Sequence, residues 1–218
     1  VLDIEGAVFE CPEDITLNSK AYTCESVAEE LIFTDVVTDC SDYVGSFKIL
    51  TLDDVDVTNL YLNGNTVENL PVGAYQLINI ATDECGNDTE CISTITVEDT
   101  SAPFAVCDGF TKVSLGSNGV AELFATSVDD GSFDNCAIIT MEIAKMTDEC
   151  NWGLAFGPKV RFCCEEIGDT IMVAFRVTDQ NGLSNICMVT VKVEDKLPPV
   201  VVCPSDLTVS CNFAFNLD

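Results

Sequence analysis

Histidine is absent from the 218 residues. With it go the Cys–His couple of thiol catalysis, the imidazole general base and every imidazole metal ligand. Basic residues are scarce: nine Lys and Arg stand against 37 Asp and Glu, for a formal net charge of −28. Such a surface repels nucleic acid and anionic lipid headgroups, and it suits cations. No Cys-x-x-Cys pair marks a zinc ribbon or a thioredoxin-like site, and neither a nucleophile elbow nor a phosphate loop occurs. No apolar run approaches the roughly 18 residues of a membrane span, and the first residues lack the basic start of a signal peptide. These absences argue against an enzyme.

Thirteen Cys, by contrast, exceed what a reduced cytosolic protein carries, and they place the chain in an oxidising, extracellular setting. Apolar residues make up 47%, enough for a core despite the charge. The strongest pattern is internal. Thr82 to Cys107 reads TDECGNDTECISTITVEDTSAPFAVC, and it returns at Thr178 to Cys203 as TDQNGLSNICMVTVKVEDKLPPVVVC. Asp83, Cys91, Glu98, Asp99, Pro103 and Cys107 recur 96 positions later at Asp179, Cys187, Glu194, Asp195, Pro199 and Cys203. Cys40 recurs in the same way at Cys136, and Cys11 at Cys107. A constant period is the mark of a repeat array. The expected organisation is the end of a preceding repeat at 1–3, full repeats at 4–99 and 100–195, and the start of a further repeat at 196–218. Any targeting signal or anchor is expected outside these residues.

Each repeat has the size of one sandwich domain. Cys187, Val189, Val191 and Val193 alternate with Met188, Thr190, Lys192 and Glu194, the pattern of a strand with one buried face. Ile171, Val173, Phe175 and Val177 behave likewise, and Asn63-Gly64-Asn65 signals a hairpin. Ala28 to Phe33 reads as a short turn. The fold class is therefore all-β: tandem immunoglobulin-like sandwiches with a 96-residue period.

The cysteines are expected as structural disulfides. Cys40 and Cys91 share their separation with Cys136 and Cys187, so both pairs are predicted bonds, each worth roughly 4 kcal/mol by loop closure. Cys11 with Cys24 is the next pairing. Val120 stands where a second Cys24 would be, so Cys107 is assigned to Cys164 and Cys150 to Cys163. Cys85 and Cys211 are left open.

Glu98, Asp99, Glu194 and Asp195 stand at the repeat junctions, and Asp129, Asp130 and Asp134 lie on a nearby acidic loop, as Asp35, Asp39 and Asp42 do in the first repeat. Hard divalent cations take six to eight oxygens, so Ca2+ is the expected cofactor, with Glu98, Asp99, Glu194, Asp195, Asp129, Asp130 and Asp134 as candidate ligands. Asp83 and Asp179, just ahead of turn glycines, read as turn-bonding residues. Trp152, the sole Trp, reads as a core residue under the Cys150 loop.

The pattern Thr-Asp-x-x-Gly-Asn, then Cys, then Val-x-Val-Glu-Asp-x-x-x-Pro, with Cys203-Pro204 beyond it, resembles hyalin-type (HYR) repeats. Asp130 to Cys136 and Phe162 to Gly168 are similar to segments of the long repeat arrays in Bacteroidetes surface proteins, gliding-motility adhesins among them. Leu183 departs from the pattern by replacing the Asn of the Gly-Asn turn. The resemblance implies an exported stalk or filament for adhesion or gliding, whose partners are neighbouring repeats of the same chain. The alternative is a recognition module, of the kind that can accompany an extracellular enzyme, that binds a surface glycan or protein around Trp152 or through the loops at one end of a sandwich, with no nucleic-acid partner in either case.

Overall fold

The computed structural model describes residues 4–33, 36–38, 42–199 and 201–202. They form two all-β, immunoglobulin-like sandwiches in tandem, each around its own apolar core. The first contains β1 (Val8–Phe9), β2 (Ile15–Lys20), β3 (Thr23–Ser26), β4 (Glu29–Glu30), β5 (Val36–Thr38), β6 (Tyr43–Thr51), the single helical turn α1 (Thr58–Tyr61), β7 (Leu62–Asn63), β8 (Thr66–Val67), β9 (Gly73–Asp83) and β10 (Asp88–Glu98). The second contains β11 (Phe110–Ser114), β12 (Ala121–Phe124), β13 (Ile138–Lys145), β14 (Lys159–Phe162), β15 (Thr170–Asp179) and β16 (Ser184–Glu194).

The main sheets run β3-β2-β10-β9-β6 and β11-β16-β15-β13. In each, an early strand lies parallel to the last one: Ile15 opposite Ile95, and 96 positions on, Thr111 opposite Val191. The alternation read in the sequence is the burial pattern. Ile171, Val173, Phe175 and Val177 of β15 are buried with Val189, Val191 and Val193 of β16. Removing such side chains from water is the main favourable term, at about 25 cal/mol per Å2. The hairpin at Asn63-Gly64-Asn65 joins β7 to β8, with Gly64 at φ 62°. Ala28 to Phe33 holds a short strand, β4, opposite β8 instead of the expected turn, because its carboxylates face out while Leu31 enters the core.

Four disulfides lie among the described residues, and they correct most of the expected pairing. Cys91 bonds Cys11, not Cys40, and Cys187 bonds Cys107, not Cys136. Cys24 bonds Cys136 instead of Cys11, and Cys107 is thereby unavailable to Cys164. Cys150 bonds Cys163. The physical reason is topological. The parallel pairing of β2 with β10 brings Cys11, just ahead of β2, beside the last strand, and β11 with β16 does the same for Cys107. In an array every pair of recurring positions keeps a constant separation, so constancy cannot choose among partners. Cys40, Cys203 and Cys211 lie outside the described residues. Cys85 and Cys164 are both exposed.

A buried lysine with two carboxylate partners, Glu166 and Asp148, lies in the second sandwich. Lys145, at the end of β13, meets Glu166 with both side chains almost fully enclosed, and its Nζ also donates to the carbonyl of Arg161 at 3.2 Å. Glu166 in turn accepts the N–H of Cys163 at 3.2 Å, next to the Cys150–Cys163 bond.

Candidate functional site

Polar groups from both sandwiches converge where the two meet. Val97 and Glu98 end β10, and Asp99 follows with only 4% of its surface exposed. The next residues run along the acidic loop of the second sandwich. Phe104 and Phe133 exchange backbone hydrogen bonds of 2.8 and 3.2 Å and stack their rings, and the N–H groups of Asp130 and Asp108 reach the carbonyls of Val106 and Val128. Beyond this zipper the loop brings Asp134 and Asn135 to the junction.

Both sandwiches then bond to the same carboxylate. Asp99 Oδ1 accepts hydrogen bonds from Ser19 Oγ of β2 at 3.0 Å, from the Ser101 N–H at 3.1 Å and from Asn135 Nδ2 at 3.1 Å. Asn135 Nδ2 also donates to Ser19 Oγ at 2.9 Å, and Asn181 Nδ2, on the turn between β15 and β16, donates to the Asp99 carbonyl at 2.9 Å. Beside this network Cys24 of β3 is covalently joined to Cys136, across 112 positions of sequence.

Three carboxylates share the centre. Asp99, Asp134 and Asp179 each present one oxygen, and the three lie within 4.8 Å of one another. Asp179 is 2% exposed. Like charges at that separation repel by about 3.5 kcal/mol or more per pair at an effective dielectric constant of about 20. Each carboxylate has one oxygen committed. Asp134 Oδ2 accepts the N–H groups of Cys136 and Ala137 at 2.9 and 3.0 Å, and Asp179 Oδ1 those of Asn181 and Leu183 at 2.8 and 2.9 Å. The opposite oxygens, Asp99 Oδ2, Asp134 Oδ1 and Asp179 Oδ2, are buried without a hydrogen-bond partner, as is Asn135 Oδ1.

Of the seven expected metal ligands the structure brings Asp99 and Asp134 together. Glu98 is exposed on the opposite face of the strand end. Glu194 is held by Lys112 and Lys196 at 3.2 and 3.0 Å, and these cations keep its carboxyl below the usual range. Asp195 is exposed, Asp129 accepts the N–H of Ser132 within its own loop, and Asp130 is exposed. The residue missed is Asp179, read from the sequence as a turn residue alone. It bonds its turn and also turns an oxygen inward. The signal was available in the repeat itself. In the first sandwich Asn87 satisfies both oxygens of Asp83, its N–H on Oδ1 and its amide on Oδ2, each at 2.8 Å, which holds the Asp83 carboxyl below its ordinary range. Leu183 stands in that place in the second, and it leaves Asp179 Oδ2 bare.

A second feature lies away from the junction. Trp152 is 46% exposed, not buried under the Cys150 loop as expected. It borders a groove with Lys145, Pro158, Lys159 and Arg161. The loop is closed by Cys150–Cys163 and by the Gly153 N–H on Asp148, so too little chain remains to fold the indole back into the core.

No protein family matches the sequence, and no curated protein does. Solved structures similar to this one include the N-terminal four Ig domains of Dscam1 isoform 1.9, at 15% identity and a TM-score of 0.46 over 88% of this chain and 47% of that one. The human mucin-like protocadherin EC1-2 matches at 12% identity and a TM-score of 0.38, over 84% of this chain and 96% of that one. The fibronectin(III)-like modules of Clostridium thermocellum CbhA match at 13% identity and a TM-score of 0.30, over 88% and 96%. The chain spans about half the length of the Dscam1 chain.

Proposed function

We propose that this chain is a non-catalytic segment of an extracellular repeat array of the HYR type, a stalk or filament of a large surface adhesin that serves adhesion or gliding. Its task is to hold a fixed geometry between sandwiches. The observation that carries this reading is the Cys24–Cys136 bond, which staples one sandwich to the next instead of closing a loop within either. A flexible tether would have no use for it. The shared hydrogen bonds of Ser19, Asn135 and Asn181 on Asp99 fix the same joint. Bacteroidetes surface arrays, which the repeat pattern resembles, supply the biological setting. The wealth of disulfides supports an oxidising, cell-surface location.

With Cys24→Ser and Cys136→Ser together, small-angle scattering should report a wider range of inter-sandwich distances, while near-ultraviolet dichroism of each sandwich stays as in the parent. An unchanged scattering profile would remove the support for a rigid spacer.

The exposed Trp152 beside Lys159 and Arg161 favours a second reading, in which the loop recognises a glycan or an acidic protein surface. Here the expected result is binding on a glycan array that is lost on Trp152→Ala. Binding that survives the substitution would place recognition elsewhere.

A further inference from the structure

We propose that the junction binds one calcium ion through Asp99 Oδ2, Asp134 Oδ1 and Asp179 Oδ2, with the side-chain carbonyl of Asn135 on the same loop as a further donor. The site would take its cation whether the array is a spacer or a recognition module.

Two independent observations meet here. The first is the distance: three carboxylate oxygens within 4.8 Å of one another. Oxygens bound to one calcium ion at about 2.3 to 2.6 Å can stand no farther apart than about 5 Å, so the triad fits a single coordination sphere. The second is the orphaned oxygens themselves. Asp99 and Asp179 are 4% and 2% exposed, yet each buries an oxygen with no donor. A buried, unpartnered carboxylate oxygen is costly, and three together are costlier. A divalent cation resolves both penalties at once.

The chemistry selects a hard ion. All the donors are oxygens, and the sulfur of Cys136, beside Asn135, is joined to Cys24 and is not a thiolate. Clefts bordered by Asp99 with Asn181, and by Asp134 with Asn135, adjoin the triad, and the flexible six-to-eight-oxygen shell of calcium suits such a loop-built set better than the near-ideal octahedron of magnesium. The site also links the sandwiches. Asp99 directly follows β10, while Asp134 comes from the loop before β13 and Asp179 from the end of β15, both in the second sandwich.

The first sandwich provides an internal control. Asp83 occupies the position of Asp179 there, but the Asn87 amide covers its second oxygen, and Thr38 stands at the position of Asp134. The set is therefore lacking at the matching positions of the first sandwich, through two differences between the repeats, Thr38 for Asp134 and Asn87 for Leu183.

The test is calorimetric titration of CaCl2 into the 218-residue chain after EDTA treatment, in about 0.15 M salt to screen diffuse binding to the acidic surface. One saturable site is expected, with a rise in melting temperature. Asp179→Asn should weaken it at least about tenfold. Leu183→Asn should weaken it comparably while keeping every carboxylate, because the new amide would cover Asp179 Oδ2 as Asn87 covers Asp83. Asp195→Asn, on an exposed carboxylate, should leave it unchanged. The absence of a saturable site, or a site indifferent to both Asp179→Asn and Leu183→Asn, overturns the proposal; magnesium bound as tightly as calcium overturns the choice of ion. The Cys24–Cys136 variant answers the spacer reading separately, so the two can fail independently.

Discussion

Replacing Cys107 and Cys187 together by Ser should destabilise the second sandwich by about 4.5 kcal/mol. The bond closes a loop of 80 positions, and the chain-entropy relation for a loop of that length gives this value. A domain of about 100 residues commonly has only 5 to 15 kcal/mol in total, so the loss is a large fraction of what holds it folded. The melting point of that unit should fall by roughly 20 °C or more. Calorimetry separates the units: the first sandwich, closed by Cys11–Cys91 over the same 80 positions, should keep its transition, and Cys11→Ser with Cys91→Ser should reverse the pattern. Non-reducing peptide mapping of the parent chain checks the premise, since it should recover Cys187 linked to Cys107. A shift of less than about 1 kcal/mol would mean that the reduced chain is already compact and that loop closure adds little.

Lys145→Met should cost the second sandwich about 3 to 5 kcal/mol, the range for removing one partner of a buried ion pair. The Lys145 side chain is 3% exposed and that of Glu166 is 0%, so the abandoned carboxylate has no water to turn to. Asp148, 3.7 Å from the ammonium in the parent, would lose the same counter-charge. The contrast is Lys159→Met. Its salt bridge with Glu122 is a third exposed on both sides and should be worth less than about 1 kcal/mol. Urea unfolding followed by far-ultraviolet dichroism measures both. Equal losses would show that burial does not set the difference. The Lys145 variant should also loosen the Cys150–Cys163 loop, because Glu166 holds the Cys163 N–H, and proteolysis near Trp152 should report it.

Strand faces were legible because they depend on local alternation. Val189, Val191 and Val193 announce an inward face whatever lies opposite. Disulfide partners were not, since a cysteine's position within a repeat says nothing of which strand lies beside it. Cys136 illustrates this: its equal spacing to Cys187 suggested a bond inside one sandwich, whereas its loop faces Cys24 of the neighbour. The junction carboxylates were half legible. Asp99 was marked by the Glu-Asp pair at the repeat boundary and Asp134 by its acidic loop. Asp179 needed the comparison of Leu183 with Asn87, whose meaning depends on where an amide points. Trp152 failed for a related reason, because a short disulfide loop overrides the tendency of an indole to be buried.

The sequence by itself determined the all-β class, the alternating strands, the acidic surface and the covalent, oxidising character of the chain. Each of these follows from composition or from a period of two along the backbone. Only the tertiary structure decided which cysteines meet, which carboxylates lose their water and how the sandwiches are joined. Those outcomes depend on the parallel pairing of an early strand with the last one, and on loops from two sandwiches arriving at one point. The period that made the repeats visible could not show that the two sandwiches are joined between them, by Cys24 on one side and Cys136 on the other, with three Asp at the joint.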